Sequence, residues 1–124
     1  MKYLCLICAE TVMEHMTAAD AAQHYQDYAA FTEEIRSSGH FIAANRLLPK
    51  ETATTIRVRD GGLEVTDGPF AETREQVGGY YLIEAADRNE AIRTAARIPG
   101  ARIGCVELRP TADDAQTRAL GFDD

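Results

Sequence analysis

An α+β domain, a split βαβ sheet with two helices on one face and a β-hairpin inserted between its halves, is predicted by three observations. Two apolar runs, residues 2–9 and 78–85, have the length and the branched or aromatic content of buried strands. Two segments open with cap spacing, residues 17–20 and 87–90, and lead into helical patterns. Between the halves, residues 54–59 and 63–66 flank Asp60-Gly61-Gly62, a strong hairpin signal. The order strand, helix, strand, hairpin, strand, helix, strand suits a ferredoxin-like sheet. Right-handed crossovers then set residues 2–9 and 78–85 side by side in its middle.

The elements follow in order. The first strand is apolar on both faces, Tyr3, Cys5 and Ile7 against Leu4, Leu6 and Cys8. Residues 10–16 read as a loop carrying His15. The first helix, residues 18–38, shows a stripe of Ala21, Tyr25, Tyr28, Phe31 and Ile35, and Gly39 ends it as a left-handed cap. Residues 40–48 form the next strand; a period of two puts Phe41, Ala43 and Asn45 on one face and His40, Ile42, Ala44 and Arg46 on the other. The hairpin, with polar Thr54, Arg57, Arg59 and Glu64, is expected at the periphery. Asp67-Gly68-Pro69 makes a tight turn in which Gly68 permits positive φ. Gly78-Gly79 is expected to let two backbones approach closely. The second helix buries Ala91, Ile92, Ala95 and Ala96 and stops before Pro99, and residues 101–109 form the last strand. The domain is expected to occupy residues 1–110, leaving 111–124 as an acidic C-terminal tail.

At 124 residues and 45% hydrophobic content the chain suits one globular domain. A formal charge of −7, from 20 acidic and 13 basic residues, repels phosphate backbones and anionic headgroups, so neither nucleic acid nor membrane is an expected partner. There is no signal-peptide pattern and no apolar run of membrane-spanning length, which places the protein in the cytoplasm. The three cysteines are expected as buried thiols: Cys5 and Cys8 face opposite ways along a strand and cannot chelate one metal together. No metal or cofactor is expected.

One stretch carries more than composition. Asp67-Gly68-Pro69-Phe70-Ala71-Glu72-Thr73, followed by Glu75-Gln76-Val77-Gly78-Gly79-Tyr80-Tyr81-Leu82-Ile83-Glu84, resembles the signature of the DGPF-type branch of the YCII-related family. The resemblance extends through Met1-Lys2-Tyr3-Leu4-Cys5-Leu6-Ile7, through residues 54–59 and through Ala95-Ala96-Arg97-Ile98-Pro99. It implies a ferredoxin-like fold that dimerises as an α+β barrel, in a family whose members mostly lack an assigned activity. It also implies an association with extracytoplasmic-function sigma factors, as DGPF-type relatives often have. Wider YCII relatives use a helix His with an Asp as a proton-transfer dyad. Counted back from Gly39, that His position is Tyr28 here, so either His24, one turn earlier, substitutes or the chemistry is absent.

Dimerisation also follows from the first strand, since two helices cover one sheet face and the second apolar face must leave water, as a symmetric pairing with a second copy allows. A cleft between helix layer and sheet end would then be served by Asp67, Glu72, Asn45, Arg46, His24, Tyr28, His40 and Tyr80. Asp67, His24 and Tyr28 are the candidate catalytic residues, and Arg46, His40 and Tyr80 the candidate ligand-binding ones. A carboxylate near an apolar sheet end can act as acid or base, and Asp67 is equally an ordinary turn residue. Three functions fit: a dimeric small-ligand-binding protein, in the role of a regulatory accessory to a sigma factor; a cofactor-independent proton-transfer enzyme, lyase or isomerase, with Asp67 as acid or base; or a structural dimer without a ligand.

Overall fold

A computed structural model describes residues 1–8, 16–71, 76–113 and 116. His15, Glu72 and most of the acidic tail lie outside the described residues. Four strands, β1 (Lys2–Cys8), β2 (Phe41–Arg46), β5 (Val77–Glu84) and β6 (Cys105–Pro110), form one antiparallel sheet in the order β2-β5-β1-β6. Strands β3 (Thr54–Arg59) and β4 (Gly62–Asp67) form a separate two-stranded sheet. Helices α1 (Ala18–Ser37) and α2 (Arg88–Ala95) connect β1 to β2 and β5 to β6. This is the ferredoxin-like α+β fold, with β1 and β5 central.

Local chemistry sets the element ends. The Thr17 hydroxyl accepts the Asp20 N–H at 3.1 Å, and the Asp87 carboxylate accepts the Glu90 N–H at 2.8 Å, so each helix starts on a side-chain cap. Gly39 follows α1 at φ +83°. The hairpin turns through Asp60 and Gly61, both at positive φ, as a two-residue hairpin loop requires.

The core lies between the helices and one sheet face: Tyr3, Cys5 and Ile7 of β1, Tyr81 and Ile83 of β5, Phe31 and Ile35 of α1, Ala91 and Ala95 of α2, with Ile98. Within it, Thr32 donates to the Tyr28 carbonyl at 2.8 Å, so its contact with the Tyr81 hydroxyl at 2.7 Å has Tyr81 as donor. Burial raises the Tyr81 phenol and pushes the Cys5 thiol up to about 11. Cys5 is buried, but Cys8 is half-buried and Cys105 exposed; these two face each other across β1 and β6.

Several details differ from the expected pattern. In β2 a bulge at Ile42 breaks the alternation: Phe41 pairs with Ile83, Ala44 with Tyr81 and Arg46 with Gly79, all on the helix face, while Ala43 and Asn45 turn away. The α1 stripe runs His24, Tyr28, Phe31, Ile35, and Tyr25 is exposed, because steps of four, three and four from Ile35 lead back to 24. On α2 the buried set is Ala91, Thr94 and Ala95, which puts Ile92 and Ala96 outside. Residues Pro99–Arg102 form a 3-10 turn, so β6 begins only at Cys105, and β2 is shorter than expected at both ends.

Candidate functional site

A cleft of about 390 Å³ opens where the N-terminal half of α1 passes the ends of β1, β2 and β5. Its size is within the range of small-molecule sites, about 300–1,000 Å³. Helix α1 supplies Ala21, His24, Tyr25 and Tyr28; the sheet supplies Ile7, Ala44 to Arg46 and Gly78 to Tyr81. The wall is mainly apolar, with a few polar groups among aromatic rings.

His24 is 8% exposed, and its Nε2 is buried with no hydrogen-bond partner among the described residues. Its ring meets Tyr28 edge to face at 4.9 Å, and Tyr28 stacks in parallel with Tyr81 at 6.4 Å. Burial lowers the His24 pKa from 6.5, opposed by Asp27 and assisted by Arg102, so the imidazole is neutral at pH 7. An orphaned buried polar atom costs about 1–3 kcal/mol, which makes it the most distinctive group in the cleft.

Tyr28 takes its position from the turn behind it. Its hydroxyl accepts the Gly100 N–H at 3.0 Å, and burial, only partly offset by that bond, pushes the phenol up to about 12. A Cβ at Gly100 would lie 2.5 Å from the Tyr28 hydroxyl and 2.6 Å from Cγ2 of Ile7, so any other residue there would force both side chains to move. On β5, a Cβ at Gly79 would sit 3.0 Å from the Asn45 carbonyl, the close backbone approach expected of the glycine pair. Gly78 makes no such approach: a Cβ there would meet nothing within 4 Å. The Asn45 amide donates to the Tyr80 hydroxyl at 3.0 Å, fixing both side chains. Arg46 lines the cleft and makes no ion pair among the described residues.

Four of the six candidates, His24, Tyr28, Arg46 and Tyr80, therefore meet at one cleft. His40 stands elsewhere. Its Nδ1 pairs with the Ser38 hydroxyl at 2.7 Å and its Nε2 with Glu90 at 3.1 Å, tying the end of α1 to the start of α2. Glu90 also accepts the Ala86 N–H, and that bond, followed by the one from His40, lowers its pKa. Asp67 is the exposed last residue of β4, opposite Thr54, and does not line the cleft. The turn after it is closed by Gly68, at φ +100°, whose N–H donates to the Ala53 carbonyl and whose carbonyl accepts the Thr55 hydroxyl. Sequence reasoning did not single out Met16, Ile7 or Gly100 for the site; the signal for Gly100 is a glycine where Pro99 alone would have made the turn.

The sequence matches the YCII-related domain family over residues 1–113. A protein of Rhizobium meliloti (strain 1021), named as uncharacterised, is 34% identical over 105 residues, which is 83% of this chain and 85% of that protein. Because the match takes in every strand, both helices and each side chain of the cleft, the chain belongs to the YCII-related family.

Proposed function

We propose that this protein is a homodimer that binds a small molecule in the cleft beside α1. The observation that carries the reading is the buried Nε2 of His24, without a partner among the described residues, in a cleft walled mainly by apolar and aromatic groups. A ligand that hydrogen-bonds this nitrogen supplies the partner that the described residues do not. The dimer is supported by the sheet face turned away from the helices, where Leu4, Leu6, Ala43 and Leu82 remain only half-buried. The role of accessory to a sigma factor, which the DGPF-like signature implies, belongs to the same reading, since a ligand-binding dimer is suited to regulation.

A thermal-shift screen of a metabolite library on the wild type and on His24→Phe tests the site. A ligand at about 100 times its Kd adds roughly 2.7 kcal/mol of apparent stability. Compounds that stabilise the wild type and not the variant are expected; hits that raise both equally, or a screen without hits, overturn the assignment. Sedimentation at micromolar concentration tests the dimer, and a 13.6 kDa species throughout would reject it.

A second reading, cofactor-independent proton transfer, is favoured by the contact between His24 and Tyr28, two titratable rings in one cleft. In that reading Asp67 is the acid or base, although it stands outside the cleft lining. Asp67→Asn that abolishes turnover and spares ligand binding would support it; unchanged turnover would remove Asp67 from the mechanism.

A further inference from the structure

We infer that the cleft takes a small aromatic carboxylate, with its ring over the bare Gly78-Gly79 backbone and its carboxylate on Arg46. This rests on the cleft being a binding site and adds the chemistry of what it binds.

Three independent features converge. The first is Gly78, the residue passed over at the register shift where Ile7 of β1 pairs with Gly79 and Cys8 with Val77. It is not at positive φ, and a Cβ there would touch nothing within 4 Å, unlike Gly79 and Gly100, where a Cβ would run into neighbours. A strand glycine marks a bulge or a close approach to the backbone, and at this bulge no side chain stands between the backbone and the space beside it. Since Gly78 lines the cleft, its bare backbone leaves a flat surface open to a ligand ring.

The second is the character of the wall. Tyr25, Tyr28, Tyr80, Tyr81 and His24 all contribute to it, and two of the ring contacts among them are edge-to-face or parallel. A flat ring extends such an arrangement with the same geometry, whereas an aliphatic chain uses only its apolar area.

The third is charge. In a chain of net charge −7, Arg46 makes no ion pair among the described residues, like Arg36, Arg57, Arg59, Arg88 and Arg93, and of these it is the one that lines the cleft. The bulge at Ile42 is what brings Arg46 to the face shared with Gly79. A guanidinium matches a carboxylate with two parallel hydrogen bonds, and a polar ring substituent would meet the Nε2 of His24.

The test uses the full chain with three probes: benzoate, its neutral analogue benzamide, and octanoate. Backbone amide shifts of Ala44, Asn45, Arg46, Gly78, Gly79 and Tyr80 report binding. Benzoate is expected to bind about tenfold more tightly than benzamide, the difference being the charge-assisted pair. Arg46→Gln should abolish that preference while leaving the melting temperature unchanged. Equal binding of benzoate and benzamide, or a preference that survives Arg46→Gln, overturns the anion assignment. Octanoate bound more tightly than benzoate overturns the aromatic one. In both cases the cleft shifts would still be seen, so the site itself stands. If none of the three probes moves these amides, the ligand class proposed here fails, and the library screen with His24→Phe decides separately whether the cleft binds anything.

Discussion

The four-stranded sheet and the β3–β4 hairpin follow the same alternating pattern and use it differently. In β1 and β5 the residues at every second position, Tyr3, Cys5, Ile7, Tyr81 and Ile83, are buried beneath two helices. In the hairpin, Ile56 pairs with Val65 and Val58 with Leu63, so the four share one face, yet each is 59–70% exposed. Alternation thus determines which side chains share a face, and the fate of that face depends on what the rest of the chain brings to it. Where a helix arrives, the face becomes core; the hairpin's apolar face receives nothing within the described residues of one chain. Contiguous apolar surface of this kind is uncommon on a monomer.

The comparison predicts unequal responses to equal deletions. Ile83→Ala, at a residue that is 0% exposed, should cost about 2–5 kcal/mol in urea unfolding, through lost burial and the cavity left behind. Val65→Ala, on the exposed hairpin face, should change stability by less than about 0.5 kcal/mol. Equal losses at the two positions would show that the hairpin face is covered in solution and would break the contrast. A smaller effect than that of Ile83→Ala is expected at the sheet edge: Gly79→Val forces a side chain against the Asn45 carbonyl, a backbone atom that cannot swing away. Overpacking of this kind costs about 1–3 kcal/mol, and an unchanged melting temperature would show that β2 and β5 have room to part.

The smallest expected effect is a pH dependence. Burial holds the His24 pKa below 6.5, so the unfolded chain takes up this proton first as pH falls. Folding stability should therefore be retained above about pH 6.5 and decline below it, until the folded state is protonated as well. Asp27 and Arg102 act on the same ring in opposite directions, and the fall should be absent in His24→Phe. A decline of equal size in that variant would assign it to another group. Glu90 contributes lower down: its depressed pKa gives stability that is present above 4.5 and is lost as pH falls through the folded value.

Much of the fold was legible because it rests on local rules. The caps at Thr17 and Asp87, the stop at Gly39, the Asp60-Gly61 turn and the two faces of β1 each depend on a few neighbouring residues, and each is where the sequence put it. What was not legible depends on a single extra residue or on distant contacts. The bulge at Ile42 has no local mark, and it reverses the expected positions of Asn45 and Arg46. The phase of the α1 stripe is not evident from residue type, because Tyr25 looks like a core residue and His24 does not, whereas in the fold His24 is the buried one. The polar residues of the hairpin predict its place at the periphery and give no sign of the apolar face opposite them. For the site, residue types were informative and grouping was not: His24, Tyr28, Arg46 and Tyr80 come together only because α1 crosses the ends of β2 and β5, while Asp67, 11 positions before Gly78, ends on the separate hairpin sheet.

Gly100 shows how the cleft could change its preference without any change in its lining. It lies behind Tyr28 and Ile7, two residues that face the ligand space, and holds the first by its N–H while leaving no room beside either. Any side chain added there would advance both wall residues, so the capacity of the cavity is governed by a position that the ligand never reaches. Among relatives, differences in what is bound should then be sought in the 3-10 turn as well as in the wall. Alanine or serine in place of this glycine would act as a shim, narrowing the chamber from outside.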